Sequence, residues 1–352
     1  MFQQRAEGIE LNRLTLVFSI LVVPLILTLF GCGDSDSKQA PILVADEVLV
    51  STVEPAQNVT SDSTSTSIEV FATEWGGAGT LSGNFQGPEG VAVASDGSVY
   101  VVDSLNHRIQ KFTSAGVFIR QWGVEGINDG EFSLPLGIAV APDGSVYVAD
   151  FDNHRVQKFT PEGILVRKWG ALGSGDGYFH QVRAVAVALD GSVYVLDYSN
   201  NRVQRFSPEG EFVGKWGTEG SGDGQLQDPE GIAVAPDGSV YVVDYSNNRI
   251  KKFTSEGVFV SKWGTLGTGD GQFNYPLGVS VASDGSVYVA DAFNHRIQKF
   301  TPEGEFISQW GTYGTGDGNF HEPRGIAAGS DDTVYISDYG NNRIKKFTVD
   351  RP

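Results

Sequence analysis

Cysteine is almost absent. Cys32 is the single one in 352 residues, so no internal disulfide can form and a cysteine-built structural zinc site is excluded. Positive charge is scarce as well: 25 Lys and Arg stand against 43 Asp and Glu, for a formal net charge of −18. Residues 1–31 hold Arg5 and Arg13 against Glu7 and Glu10, so losing them would leave that balance unchanged. A phosphate backbone wants Lys or Arg at each contact, so no nucleic acid partner is expected. The acidity favours solubility and neutral or cationic ligands. Helix-type apolar spacing is rare, whereas 45 glycines point to many short strands joined by tight turns. Nor does any pattern supply a Ser-His-Asp or Cys-His nucleophile.

Only one long hydrophobic run occurs. Residues 14–30 are uncharged and apolar, with Arg13 before them. Such a run is at the short limit for a spanning helix and slightly above a usual signal core. The following Leu29-Phe30-Gly31-Cys32 resembles a bacterial lipoprotein signal: Leu, a tolerant position, a small residue, then Cys. The resemblance implies cleavage after residue 31, acylation of Cys32 and stable lipid anchoring of the chain to a membrane. The competing expectation is an uncleaved helical anchor with an incidental cysteine. Both place everything after Cys32 in the cell envelope, outside the cytoplasm. Residues 32–66 are rich in Ser, Thr and Asp without a sustained period, as a flexible tether would be.

From there to residue 349 one unit repeats without drift. The Asp of a Tyr-x-x-Asp tetrad recurs at Asp103, Asp150, Asp197, Asp244, Asp291 and Asp338, 47 residues apart. All six tryptophans keep that step, from Trp75 to Trp310, and so does an Asn-x-Arg ending at Arg108, Arg155, Arg202, Arg249, Arg296 and Arg343. A fixed period of this size marks a repeat architecture. Within the fourth copy, residues 231–235 form an apolar run, Pro236-Asp237-Gly238 a hairpin turn, and residues 239–244 a strand apolar on both faces. A polar loop, a third strand over 249–253, a Ser255-Glu256-Gly257 turn and a fourth strand ending at Trp263 complete it. Four strands per unit make a propeller blade.

The phase of the copies predicts closure. The last copy ends at Phe347-Thr348-Val349 with three strands, and the first Trp closes a fourth strand, from Ile68 to Trp75, that nothing precedes. Pairing Ile68 to Trp75 with Arg343 to Phe347 completes a sixth blade and removes an open edge. The expected fold is all-β, a six-bladed β-propeller over residues 67–349. Its phrases Pro-x-Gly-Ile-Ala-Val, Asp-Gly-Ser-Val-Tyr-Val-x-Asp and Asn-His-Arg-Ile-Gln-Lys-Phe, with a closing Trp-Gly, resemble NHL repeats. NHL propellers are platforms for peptide, protein or RNA, and relatives of the fold include metal-dependent lyases and hydrolases. A fold of this kind does not fix a function.

Residues present in every copy read as structural. Each Asp is expected to accept backbone amides of the loop after strand two and to pair with the Arg, since a buried Arg needs such a partner. The histidines inside the motif share that reading. Asp129, Asp176, Asp223, Asp270 and Asp317 lie in Gly-rich loops that could present oxygen to calcium, but one carboxylate per loop is thin.

Residues that vary between copies carry more information. At the mouth of the channel one position reads Glu89, Leu136, Arg183, Glu230, Leu277, Arg324, a three-blade pattern stated twice. His180 and His321 each precede an Arg by three residues, and an aromatic follows the repeated Asp at Phe151, Tyr198, Tyr245 and Tyr339. Aromatic faces beside bidentate Arg suit a peptide, sugar or carboxylate. The expected function is thus a membrane-tethered extracytoplasmic scaffold that binds a peptide, protein or envelope polymer at this rim, without a cofactor. Substituting Arg183 and Arg324 is expected to weaken binding and leave unfolding little changed. The alternative is a metal-dependent lyase or hydrolase in which His180 and His321 reach an axial ion such as zinc.

Overall fold

The computed structural model describes residues 68–350. The expected signal segment, the tether and Cys32 lie outside the described residues. Six antiparallel sheets of four strands form a ring, each sheet ordered from an inner to an outer strand. Blade one runs Pro88–Val93, Val99–Asp103, Arg108–Phe112 and Phe118–Trp122. The sixth closes as the phase of the copies predicts: the N-terminal strand Ile68–Gly76 pairs with Arg343–Asp350, with Phe71 opposite Phe347 and a bulge between Phe71 and Thr73. No free edge is left between the first and last copies.

The second strand of each blade is buried at every position because a neighbouring sheet covers each of its faces. Between blades one and two, for instance, Ala92, Tyr100 and Val102 pack on Ile138, Val146 and Val148. Junctions of this kind, repeated around the ring, are the core. The polar loop after strand two is a short 3₁₀ turn in five blades, as at Ser104–Asn106.

Adjacent blades are also latched near the periphery. The Tyr100 hydroxyl and the Lys111 ammonium both donate to the Pro161 carbonyl of the next blade, and Tyr241 and Lys252 do the same to Pro302. Trp75 lies over Gly116 so closely that a Cβ there would sit 2.6 Å from the indole, and Gly116 has φ +80°. Only glycine meets both demands.

Candidate functional site

The Asp-x-x-Asn-x-Arg sets knit each blade internally. Asp103 accepts the Gln86 amide at 2.7 Å, the Asn106 side chain, Arg108 Nε at 2.7 Å and Gln110 Nε2 at 3.0 Å. Arg108 then donates to the carbonyls of Thr80, Leu81 and Asn84. The amide thus comes from the loop leading into the inner strand, rather than from the loop after strand two as expected. A hub of this kind fixes the connection between consecutive blades and exposes no reactive group.

The histidine inside the motif has a role of its own. His107, His154 and His295 take left-handed backbone angles, and each Nδ1 accepts an amide of the next blade, from Leu134, Gln181 and Glu322 at 3.0–3.2 Å. Where the motif carries Asn, the side-chain oxygen does the same: Asn201 to Asp228, Asn248 to Tyr275, and Asn342 to Gly87 across the closure. His Nδ1 and Asn Oδ1 are interchangeable acceptors here. The assignment also sets the tautomer. A neutral histidine whose Nδ1 accepts carries its proton on Nε2 and has no lone pair left for a metal.

Neither His180 nor His321 lines the axial cavity. The His180 ring packs 5.9 Å from that of His154, and His321 lies 6.0 Å from His295 and 5.1 Å from Tyr313. Each therefore sits at a blade junction on the rim. Burial first, then the facing imidazole, holds His154 and His295 below the ordinary histidine pKa.

At the axis the structure brings four of the expected residues together. Arg183 pairs with Glu230, Arg324 pairs with Glu89, and Arg183 lies 3.9 Å from Glu89, so the four form one chain of charges. Leu136 and Leu277 complete the ring, which lines a cavity of about 90 Å³. Burial works against the Arg183 charge, but Glu230 and Glu89 more than offset it and raise its pKa. Desolvation raises that of Glu230 despite Arg183. The guanidinium of Arg324 stacks 3.3 Å above the Tyr339 ring. Only 13% of the Arg183 side chain and 9% of the Glu230 side chain are exposed, so the expectation that arginine substitution spares stability does not survive.

Around this plug runs an aromatic arc. Phe151 lies 6.2 Å from Tyr198, and Tyr245 lies 5.0 Å from a residue that sequence reasoning missed, Tyr275, which in turn touches Phe293 at 5.6 Å. Tyr275 is 41% exposed and Phe293 45%. Tyr275 also holds φ at 50°, a conformation shared at this repeat position by Leu134, Gln181, Asp228 and Glu322 and, in blade one, by Gly87. A bulky residue there is strained by about 1–3 kcal/mol. The signal was present in the sequence: Tyr275 shares its repeat position with a glycine.

Three of the five Gly-rich loop carboxylates pair with lysines of the outer strands, and Asp270 accepts from Gln309 at 3.1 Å instead. Asp176 and Asp223 meet Lys215 and Lys262 at 2.5 and 2.6 Å, and Asp129 pairs with Lys168. Among the described residues no three His, Cys, Asp or Glu side chains group as metal ligands.

The NHL repeat signature matches residues 85–112, 132–159, 226–253, 273–300 and 320–347, so the chain carries NHL repeats on a six-bladed β-propeller. The unmatched copy is blade three, where Val182 and Ala184 stand in place of Pro and Gly. No curated protein matches the chain in sequence. Solved structures share its fold. A Bacteroides thetaiotaomicron protein of unknown function superposes with a TM-score of 0.64 at 20% identity, covering 81% of this chain and 76% of that one. Virginiamycin B lyase from Staphylococcus aureus gives 0.52 at 17%, covering 73% and 79%. A gluconolactonase from Xanthomonas campestris gives 0.56 at 14%, covering 85% and 99%.

Proposed function

We propose that this propeller is a lipid-anchored binding scaffold of the cell envelope, tethered through Cys32, whose rim takes a peptide, protein or envelope polymer. One observation carries the reading. The residues the repeat leaves free to vary converge on one face of a rigid ring, where exposed aromatics surround a charge-neutralised plug. Exposed aromatics on a stiff frame make affinity without an ordering penalty. The catalytic alternative, a metal-dependent lyase or hydrolase, is weakened by the packing of His180 and His321 against junction histidines and by the arginine pairing of Glu89 and Glu230.

Photo-crosslinking in cells tests the rim. A benzophenone side chain replacing Phe293 should give discrete adducts, and the same group replacing Val213, on the outer strand of blade three, should not. Equal labelling at both positions, or none at Phe293, overturns the proposal.

A further inference from the structure

The two halves of the mouth are furnished differently. On one side Arg324 covers the face of Tyr339 and also reaches Glu89. Half a turn away, Arg183 bonds Glu230 instead, and among the described residues no guanidinium or ammonium stacks on Tyr198. Next to this bare ring stands Asp228. Its carboxylate accepts from Ser246 Oγ at 2.7 Å, beside Tyr245, and has no Lys or Arg partner among the described residues. Its charge adds to burial and to Glu230 in opposing ionisation of the Tyr198 hydroxyl.

Tyr275 closes the arrangement. It stacks near Tyr245, stays exposed, and keeps a backbone conformation that favours glycine. The repeat position itself is left-handed in every blade, so what sets blade five apart is that it carries an exposed aromatic there.

The geometry points to a site for a cationic peptide side chain, lysine or arginine, held among Tyr198, Tyr245 and Tyr275 with Asp228 as its counter-charge. Aromatic faces attract a cation through the ring quadrupole, and a nearby carboxylate supplies a charge-assisted hydrogen bond. Arg324 on Tyr339 is the same interaction made inside the molecule. The net charge of −18 steers such a peptide toward the protein. The inference rests on the rim-binding reading and names its ligand chemistry.

The probe is a dye-labelled peptide, Gly-Ser-Gly-Phe-Arg-Phe-Gly-Ser-Gly, titrated against the full chain by fluorescence anisotropy, beside versions with Lys or citrulline at the centre. The Arg and Lys peptides should bind saturably, and citrulline, which keeps the shape and loses the charge, roughly tenfold more weakly. Asp228→Asn keeps the hydrogen bond to Ser246 and should weaken the Arg peptide by a similar factor. Tyr275→Asn should weaken binding while raising the melting temperature, because Asn tolerates the left-handed backbone. Absence of saturable binding overturns the cationic site. Equal citrulline binding that Tyr275→Asn abolishes also overturns it and leaves the rim reading standing. Arginine binding that neither substitution alters overturns both.

Discussion

Lys299 reaches across the junction of blades five and six to the Glu69 carboxylate, at 3.5 Å. At the other five junctions the matching Lys or Arg donates to a turn carbonyl of the next blade. Glu69 occupies the repeat position that is Gly116, Gly163, Gly210, Gly257 or Gly304 elsewhere, so this junction carries a carboxylate where the others carry glycine.

Glu69→Ala withdraws that carboxylate from a lysine only 5% exposed. The expected loss is about 1–3 kcal/mol, the cost of removing one partner from a buried polar group. Glu69→Gln keeps an acceptor and should lose less. Calorimetric unfolding checks the order; equal effects of the two changes would mean that the contact is packing alone.

Arg183 and Glu230 give a prediction of the same kind at the axis. Arg183→Met should destabilise by about 3–5 kcal/mol, because Glu230 is left buried without its partner. The double change with Glu230→Met should recover part of that loss, and a double-mutant cycle by urea unfolding measures how much. Strict additivity would contradict the pairing.

Cys32 supplies a prediction about the anchor. Intact mass of the membrane-extracted chain should show removal of residues 1–31 and added acyl mass, and both should be lost in Cys32→Ser. A chain that keeps residues 1–31 and carries no acyl mass would instead mean an uncleaved helical anchor.

The ring, its blade count and its point of closure were legible because each follows from one period and its phase, as with Trp75 preceding any complete copy and Phe347 lacking a fourth strand. The Arg183–Glu230 contact was legible for the same reason, since residues 47 apart lie on adjacent blades, and so was Arg324–Glu89 across the closure; the approach of Arg183 to Glu89, two blades away, was not. What escaped depends on side-chain direction. His154 and His180 belong to different copies and meet only through the junction. The shared column of His107, His154 and His295 with Asn201, Asn248 and Asn342 held the clue, since an acceptor is what the two residue types have in common. Glu69 was opaque because it occurs once, outside the complete copies. Blade five departs locally too, with an inner strand of only Val279–Val281, and no single residue explains that shortening.

The paired histidines make stability depend on pH in a direction that can be worked out. Burial, then His180 or His321, lowers the folded pKa of His154 and His295, and nearby carboxylates led by Asp152 and Glu322 oppose this without cancelling it. Above the unfolded value, about 6.5, each is neutral in both states. Below it the unfolded chain takes up a proton that the folded chain resists, so unfolding free energy falls as pH drops from 6.5 toward the lower folded pKa. Protonation at Nδ1 would also break the amide bonds from Gln181 and Glu322 that join adjacent blades. The double variant His154→Asn, His295→Asn keeps an acceptor at both positions, as blades three, four and six already do, and has nothing there to titrate. Urea unfolding between pH 7.5 and 5.5 should therefore show a shallower decline for the variant, with little loss of stability at the upper end. An unchanged slope would assign the acid sensitivity to other groups and remove the junction histidines from the account.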